Sequence, residues 1–406
     1  MPSDVESIGP VLLALEGGRT PVTADLAPRF TAALAERFPG LGATVLAVSR
    51  RGGQILLDPM EARDLSAEDA PLSPPVSEGG IPGPESATLA LLRELDRTGA
   101  RAVALVTPRA SGEASGWMGT FLAPILEEAY DFVCPTYLRH KTDATLNTGV
   151  VYPLTRALYG WRIRQPLGGE FAMSLSLGRR LLADPDWRRD PRQAGSDAWL
   201  VAKAFVSEAR VCQAWLGEWP GSDAAAPHEE ASQTLSRVLG LLFREMERHA
   251  SRWQRVEGSR LVATFGTGGL LDGQAPAIPV DRLVEAFRLG QRELSPVWSL
   301  VLPPTTLLTL KRTAGLDPGE FCLDDGLWAR IVYDFAVAHF ARLMERGQLL
   351  RSMTPLYLGW VAGFVNQARD LAPSAVEARV EALCEAFERE KPRLIARWRW
   401  PDGFSP

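Results

Sequence analysis

One short stretch of the sequence could hold a carboxylate against a polar ligand. Gly168 and Gly169 stand directly before Glu170. Because glycine has no side chain, a ligand can approach the backbone there while Glu170 accepts hydrogen bonds from hydroxyl groups. The alternative is an ordinary tight turn that leaves Glu170 exposed to solvent.

A second stretch gathers charged side chains just after an apolar run. Arg139, His140 and Lys141 are consecutive, and Asp143 follows two residues after them. Such a cluster can bind an anionic acceptor or a diphosphate, because its cationic groups donate strong hydrogen bonds to carboxylate and phosphate oxygens. In isolation, a run of this kind is more commonly a solvated stretch of surface charge.

A third candidate is an arginine at the end of an apolar run. Residues 101–107 form a strand-sized segment, and Arg109 follows it with no carboxylate before Glu113. In open α/β sheets, ligands bind beyond the carboxyl ends of the strands. We therefore expect the loop that holds Arg109 and the loop that holds residues 168–170 to open onto one cleft.

These loops need a sheet to position them, and the first half of the chain has the pattern of one. Apolar runs at 10–15, 43–49 and 101–107 have the length of strands, and helix-like segments lie between them. Strands that alternate with helices predict an α/β fold with a mostly parallel sheet. After about residue 230 the pattern changes to long amphipathic segments. We predict an α/β domain over residues 1–230 and a mostly helical domain over residues 231–406.

The helical half contains a histidine that could be mistaken for a ligand. In the segment DGLWARIVYDFAVAHFARLM, Trp328, Val332, Phe335 and His339 fall at helical spacing on one face. Residues on such an apolar stripe are usually buried. We therefore expect His339 to face the core and not to bind a ligand.

The charge balance argues against nucleic acid and anionic membranes as partners. With 44 basic and 49 acidic residues, the formal net charge is −5, whereas phosphate-binding surfaces usually show a basic excess. Any basic site must therefore be local. The segment Arg397–Trp400 alternates arginine and tryptophan, but this short tract fits a helix end with packed tryptophans better than a nucleic-acid surface.

Cysteine usage and hydropathy indicate the cellular compartment. The four cysteines are far apart in sequence and form no CxxC pair, which favours buried free thiols in a reducing cytoplasm over a metal cluster or redox pair. The first residues are acidic where a signal peptide needs basic ones, and no apolar run approaches the roughly 18 residues of a membrane span. We expect a cytoplasmic protein without a membrane partner.

The segment Tyr130–Ser174 carries a specific resemblance to a known family. Its motifs YDFV, YLRHK, YPLTRALYG and RQPLGGEFAMS resemble those of the retaining GT-A-fold glycosyltransferases that make glucosylglycerate, mannosylglycerate and related compounds from a nucleotide sugar. GSDAWL at residues 195–200 and later segments extend the likeness, more loosely, over most of the chain. The resemblance implies a GT-A-like, Rossmann-type sheet domain followed by helices. It also implies hexosyl transfer from a nucleotide sugar to glycerate or a similar small hydroxy acid.

The resemblance also implies roles for particular residues. Glu170 would read the donor sugar and take part in catalysis, and Arg109 would join it if the guanidinium replaces the metal, as argued below. The donor side would be formed by Arg109, Lys141, Gly168, Gly169 and Glu170, and the acceptor side by Arg139, His140, Asp143 and Thr148. Family members that use a phosphoglycerate acceptor carry an arginine two residues before that threonine. This chain has Leu146 there, which favours an unphosphorylated acceptor.

The sequence departs from the family at its metal site. These enzymes normally hold a divalent cation against the donor diphosphate with a D-x-D motif. In an ungapped comparison, Thr107 and Arg109 fall on the two aspartate positions. Because hard cations need several oxygen ligands, we predict no metal and no cofactor. The guanidinium of Arg109 could take over the electrostatic role of the metal.

Other donor-side motifs differ as well. The segment LEGGRTP replaces a loop that binds the nucleotide, and Gly83-Pro84-Glu85 replaces a phosphate-facing GKG. The family's third metal ligand, a histidine, is replaced by Glu218-Trp219-Pro220. His228 could substitute only if the loop before it folds back, and a lone histidine in such a loop is more often simply exposed.

Two hypotheses follow. In the first, the protein is a working, metal-independent glycosyltransferase in which Arg109, helped by Arg19 or Lys141, replaces the cation. In the second, it is a non-catalytic homologue that acts as a binding or regulatory subunit, as a homo-oligomer or beside an active paralogue. The donor-side losses favour the second hypothesis, and the intact RHK-x-D and QPLGGE segments favour the first.

Overall fold

The chain divides into two compact units that are not contiguous in sequence. The computed structural model describes residues 11–16, 26–51, 54–60, 86–106, 114–189, 194–207, 209–219, 228–269, 271 and 278–400. The first unit comprises Met1–Tyr137, Gln165–Pro220 and Val262–Gly268, and the second comprises Leu138–Arg164, Gly221–Leu261 and Gly269–Pro406. The predicted boundary at residue 230 lies near the point where the chain passes from the first unit, which includes Pro220, to the second, which includes Gly221. The segment 138–164 belongs with the helical unit.

The first unit is built on an eight-stranded mixed sheet. Its described strands are β1 (Val11–Glu16), β2 (Ala43–Arg51), β3 (Gln54–Pro59), β4 (Ala102–Val106), β5 (Phe132–Leu138), β7 (Phe171–Ser174), β8 (Val211–Glu218) and β10 (Thr264–Phe265). Their spatial order is β10-β8-β5-β7-β4-β1-β2-β3. The second unit has a two-stranded sheet of β6 (Trp161–Arg162) and β9 (Arg260–Leu261).

Part of the large sheet is parallel, as the alternating sequence pattern predicts. β1 pairs in parallel with both β2 and β4, and β8 pairs in parallel with β10. The three apolar runs that predict strands fall on β1, β2 and β4. Two strands are reversed: β3 is antiparallel to β2, and β7 is antiparallel to both β4 and β5. The α/β prediction is therefore confirmed, with a mostly parallel but mixed sheet.

The central strands are buried because helices cover the sheet. Every residue of β4 is buried, and so are the first five residues of β1. This is typical of parallel strands with two covered faces, which read as continuous apolar runs. Phe30 and Leu34 from one helix, and Phe121 and Leu122 from another, share a single core with Leu13 of β1 and its neighbours.

Six described helices belong to this unit. They are α1 (Leu26–Arg37), α2 (Ala87–Thr98), α3 (Ala114–Glu128), α5 (Leu175–Leu182), α6 (Asp186–Arg189) and α7 (Asp197–Val206). Local sequence sets their ends. Ser86 caps α2 by accepting a hydrogen bond from the Leu89 amide, and Gly99 ends it in the left-handed conformation. Ser196 caps α7 in the same way.

The second unit is mostly helical, as predicted. Its described helices are α4 (Tyr152–Tyr159), α8 (His228–Arg248), α9 (Ala250–Trp253), α10 (Val280–Glu293), α11 (Ser295–Trp298), α12 (Pro304–Thr313), α13 (Asp325–Ala341), α14 (Arg346–Ser352), α15 (Thr354–Ala368) and α16 (Pro373–Arg399). A π-helical segment, Asn147–Val151, leads into α4. Within the described ranges, no helix is both long and apolar enough to cross a membrane.

The buried position predicted for His339 is confirmed. Its side chain is 1% exposed on α13, and its Nδ1 lies 2.7 Å from Oε1 of Glu247 on α8. Arg346, at the start of α14, binds the same carboxylate at 2.7 Å. Three helices therefore meet at one hydrogen-bonded group, in which Nε2 of His339 and Nε of Arg346 have no hydrogen-bond partner among the described residues.

All four cysteines are free thiols. Cys134, Cys212 and Cys384 are buried, and Cys322 is partly exposed. Burial raises the pKa of the Cys134 and Cys212 thiols far above the usual range, and it raises the pKa of Cys384 to about 12. These thiols therefore stay protonated at neutral pH.

Candidate functional site

The strand register brings Glu170 to the carboxyl edge of the sheet. In the antiparallel pair of β4 and β7, Leu105 lies opposite Phe171. The residues just before Phe171 therefore lie beside the end of β4. The parallel neighbour β1 ends at the same edge, and the sheet order reverses there, because β2 and β4 flank β1 on opposite sides. Such a switch point is where open α/β sheets bind ligands.

The two glycines before Glu170 are each required for a different reason. A Cβ on Gly168 would lie 2.1 Å from Cγ of Pro135, so no other residue fits without a shift of the backbone. Gly169 has φ +82, a left-handed conformation that favours glycine. The turn is therefore tight, but Glu170 is only 5% exposed. The alternative of an exposed glutamate on an ordinary turn does not describe this loop.

A tyrosine holds the Glu170 carboxylate. The hydroxyl of Tyr137 donates a hydrogen bond of 2.5 Å to Oε2 of Glu170. Gln165 fixes the tyrosine backbone, since its Nε2 donates to the Tyr137 carbonyl at 2.9 Å and its Oε1 accepts from the Tyr137 amide at 3.3 Å. The Trp219 ring packs edge-on against the tyrosine ring, with centroids 5.0 Å apart. The carboxylate is therefore preorganised by groups from three segments of the first unit.

Sequence reasoning missed Tyr137 and the role of Trp219. Tyr137 stands two residues before the charged run, in a strand with an apolar pattern, so its position near the carboxyl end of a strand was the available signal. Trp219 lies in the segment where the resemblance would place a third metal ligand. There it supports the tyrosine. A tertiary contact of this kind leaves no periodic trace in the sequence.

A shallow depression lies beside the glutamate. It has room for no more than about one water molecule, so a hexose would have to lie outside it. A second carboxylate, that of Asp197 in the first turn of α7, also lines it. The other lining residues are Phe132, Cys134, Pro135, Pro166, Gly168, Gly169, Phe171, Leu200 and Val201.

The acceptor-side residues predicted from sequence all lie in the second unit. Arg139 and Asp143 are each 5% exposed, and Thr148 is 2% exposed, so the charged run is not the solvated surface stretch of the simpler interpretation. Lys141 has a structural contact: its Nζ donates to the carbonyls of Arg369 at 2.7 Å and Leu371 at 2.9 Å, beyond the end of α15. Its role as a donor ligand stays a prediction.

The loop between Asp143 and Thr148 has unusual backbone geometry. The Asp143 amide donates to the His140 carbonyl at 2.9 Å, which closes a turn. Ala144, next in the chain, has φ +52, a left-handed conformation that costs a residue with a Cβ about 1 to 2 kcal/mol. The π-helical segment follows within three residues. Strained residues and π-helical turns both occur often at functional sites.

Two buried polar atoms just before this loop lack a hydrogen-bond partner among the described residues. They are Nδ1 of His140 and Oγ1 of Thr142. An unsatisfied buried polar group costs roughly 1 to 3 kcal/mol, so such groups are rare and call for an explanation. A small polar ligand or an ordered water that hydrogen-bonds to these atoms would provide one.

Arg164 is a further charged residue in this region that sequence reasoning did not select. Its Nε and Nη2 bind the two carboxylate oxygens of Glu377 at 2.9 Å each, and its Nη1 donates to Oγ1 of Thr148 at 3.3 Å. The available signal was its position directly before Gln165, at the start of the QPLGGE motif. Its partner Glu377 lies more than 200 residues away in sequence, on α16.

Several predicted residues lie outside the described residues. These are Arg19, residues 83–85, Thr107 and Arg109, together with the side chain of His228. The expectation that the Arg109 loop and the Glu170 loop share one cleft therefore stays a prediction, although Val106 and Glu170 flank the same end of β4 and β7. In the part of the chain that the structure describes, no three His, Cys, Asp or Glu side chains come together as metal ligands.

Comparison with known proteins does not identify a family. No family model matches the chain, and a search of curated proteins finds no significant match.

Proposed function

We propose that the protein is a glycosyltransferase that moves a hexosyl group from a nucleotide sugar to glycerate or a similar small hydroxy acid. The observation that carries this proposal is the held carboxylate of Glu170. It lies at the carboxyl edge of the sheet beside the end of β4, and it follows Gly169, where nothing lies within 4 Å of the position of a Cβ. A carboxylate fixed by Tyr137 can accept hydrogen bonds from sugar hydroxyls without reorganising, which is how a preorganised site contributes to catalysis.

The order of the first strands supports a nucleotide-binding role. The parallel strands β2, β1 and β4 lie side by side in that order, so that β1 has its neighbours on opposite sides, and open α/β sheets bind ligands beyond the carboxyl ends of the strands at such a switch point. We infer that Arg109, three residues beyond β4, binds the donor diphosphate in place of a metal. The GT-A assignment is part of the same proposal.

The charged loop of the second unit supports binding of a small anion. Arg139 is buried there, and the His140 and Thr142 atoms that have no partner in the described part of the chain offer a donor or acceptor to a ligand. A hydroxy acid carries a carboxylate and hydroxyls, which match this set of groups.

A second candidate is a non-catalytic homologue that binds one ligand or a partner. The contacts of Lys141 favour this non-catalytic candidate, because two of its ammonium hydrogens bind carbonyls of the second unit. An ammonium held in this way contributes less to a diphosphate.

The decisive experiment is calorimetric titration with nucleoside diphosphates and nucleotide sugars, in excess EDTA and with manganese. If the transferase proposal is correct, the wild type binds the diphosphate in EDTA, and Arg109→Ala weakens that binding by about 1.5 to 3 kcal/mol. Glu170→Gln should weaken binding of the nucleotide sugar but not of the diphosphate alone. Undetectable diphosphate binding by the wild type in both conditions would favour the non-catalytic candidate.

A further inference from the structure

The hydroxyl of Ser259 lies between two arginines of the second unit. Its Oγ accepts a hydrogen bond of 3.1 Å from Nε of Arg156, on α4, and one of 3.0 Å from Nε of Arg162, on β6. A hydroxyl oxygen has two acceptor sites, and the arginines occupy both. The hydrogen of Ser259 therefore points away from both guanidinium groups, as a donor.

The first of these arginines is buried and has a donor without an acceptor. The Arg156 side chain is 1% exposed, yet its Nη2 has no hydrogen-bond partner in the described part of the chain. Nε and Nη2 share one edge of a planar guanidinium, as the bidentate pair of Arg164 and Glu377 illustrates. In Arg156, Nε of this edge donates to Ser259. A buried donor of this kind is costly unless a ligand or a water accepts from it.

The second arginine is accessible and loosely paired. The Arg162 side chain is 33% exposed, and its ion pair with Glu381 is 3.9 Å long, which is beyond the range of a hydrogen bond. Its Nη1 and Nη2 donate to no acceptor within the described ranges, because its described hydrogen bond comes from Nε. A ligand could therefore bind this guanidinium without displacing a hydrogen-bonded carboxylate.

The surroundings of the serine have more positive than negative charge. The two arginines face two carboxylates, those of Glu381 and Glu388. Lys391 adds a third cation, since its Nζ donates to a carbonyl three residues before the serine. Burial lowers the pKa of Lys391 to about 8, so this lysine is mostly charged at neutral pH. The exposed Arg255 and Glu257 of the same loop offset one another. An anion would restore the balance of charge.

We propose that the Ser259 hydroxyl, the Arg162 guanidinium and Nη2 of Arg156 form a binding site for a phosphate group. These groups act as donors, so they match an anion and not a cation. They come from three separate segments, and a phosphate group offers three acceptor oxygens and close to two negative charges. A carboxylate has two oxygens in one plane and a single charge, and it would leave one of these donors without an acceptor.

The test is calorimetric titration of the full-length protein with inorganic phosphate, at an ionic strength kept constant with chloride. Arg162→Gln should weaken phosphate binding about three- to tenfold, as expected for a partly exposed charged hydrogen bond. Arg162→Lys should weaken binding less, because it keeps the charge but loses the planar fork.

The matched control is Arg260→Gln. Arg260 is exposed and directly follows Ser259, but it stacks on the Trp161 ring at 4.0 Å. Because Arg260 lies opposite Trp161 and successive strand residues point to opposite faces, it lies on the other face of the β6–β9 pair from Arg162. Its substitution should leave phosphate binding at the wild-type value.

Ser259→Asp provides a second test, because it places a carboxylate between the two arginines. It should weaken phosphate binding at least as much as Arg162→Gln, and it should not lower the melting temperature, since the new carboxylate can pair with Arg162.

Four results would overturn the inference: no phosphate binding by the wild type, wild-type affinity in Arg162→Gln, an equal loss in Arg260→Gln, or acetate binding as tight as phosphate binding. Thermal melting checks that each variant folds. The proposed function would stand in each case, because it depends on binding of nucleoside diphosphates and glycerate by other residues.

Discussion

Pro135 leaves no room for a side chain at Gly168. We expect Gly168→Ala to destabilise the first unit by about 1 to 3 kcal/mol, the usual cost of forcing extra atoms into a packed site, because the new Cβ would lie 2.1 Å from the proline ring. Urea denaturation measures this loss. Gly258→Ala is the control, since nothing lies within 4 Å of that Cβ. Equal stability of the two variants would contradict the packing argument.

The Tyr137–Glu170 hydrogen bond should contribute to stability as well as to the site. Tyr137→Phe leaves a buried carboxylate oxygen without this donor, which costs about 1 to 3 kcal/mol. A double-mutant cycle with Glu170→Gln isolates the coupling from the other contacts of both residues. A coupling energy below about 0.5 kcal/mol, the range found for independent sites, would show that the short contact does not stabilise the fold.

At the residue scale, the sequence reveals which residues have unusual chemical groups, but it does not reveal which residues contact one another. The glycine pair and the charged run could be selected because their residue types are unusual in combination. Tyr137, Arg164 and Glu377 could not, because each gains its role from a partner distant in sequence. The burial of Arg139 likewise depends on segments that fold over it, which no local pattern encodes.

At the element scale, the group formed by α8, α13 and α14 should make stability depend on pH. Burial lowers the pKa of His339, outweighing the opposite effect of Glu247. For Glu247, burial alone would raise the pKa, but hydrogen bonds and charges from His339 and Arg346 lower it. Both groups therefore bind protons more weakly in the folded state than in the unfolded state.

The direction of the pH dependence of stability follows from these two lowered pKa values. As pH falls below about 6.5, the usual pKa of histidine, the unfolded chain takes up the His339 proton first, and the free energy of unfolding decreases. A second decrease begins below about pH 4.3, the usual pKa of glutamate, when Glu247 is protonated in the unfolded chain. Urea denaturation at a series of pH values should show both. His339→Gln should flatten the curve between about pH 7 and 5, and an unaltered slope there would refute the assignment.

The π-helical segment depends on a glycine, as does the turn before Glu170. A Cβ on Gly149 would lie 2.2 Å from the Trp360 ring, and the Gly149 carbonyl accepts a hydrogen bond of 2.7 Å from the Trp328 indole. We expect Gly149→Ala to displace Thr148 and so to weaken binding of a small hydroxy acid. Calorimetry with glycerate checks this, and Gly258→Ala again serves as the control. Unchanged affinity would show that the segment tolerates the methyl group.

Long periodic elements were predictable, and short or reversed ones were not. The alternation of apolar runs and helices predicts β1, β2 and β4, and the amphipathic spacing predicts α13. β7 has four residues and an antiparallel direction, neither of which alternation can indicate. Because β7 directly follows Glu170, this strand positions the glutamate. The position of the main candidate residue therefore depends on an element that the sequence pattern does not predict.

At the scale of the whole molecule, the sequence predicts an α/β part and a helical part, and both are present. It does not predict that residues 138–164 join the helical unit, because membership depends on contacts with α16 and not on local pattern. Arg156 pairs there with Glu381 and Glu388, and Lys391 donates to the carbonyls of Ala157 and Val256. These contacts link segments more than 100 residues apart.

The buried thiols give each unit its own reporter of opening. A protonated, inaccessible thiol does not react with iodoacetamide, so alkylation of Cys134 and Cys212 requires the first unit to open, and alkylation of Cys384 requires the second. Pulsed alkylation followed by peptide mass spectrometry would therefore yield a separate opening free energy for each unit in the unmodified protein. A nucleoside diphosphate that binds the first unit should slow labelling of Cys134 and Cys212, and an acid that binds the second should slow labelling of Cys384. The natural cysteines thus allow a ligand to be assigned to its unit without any substitution.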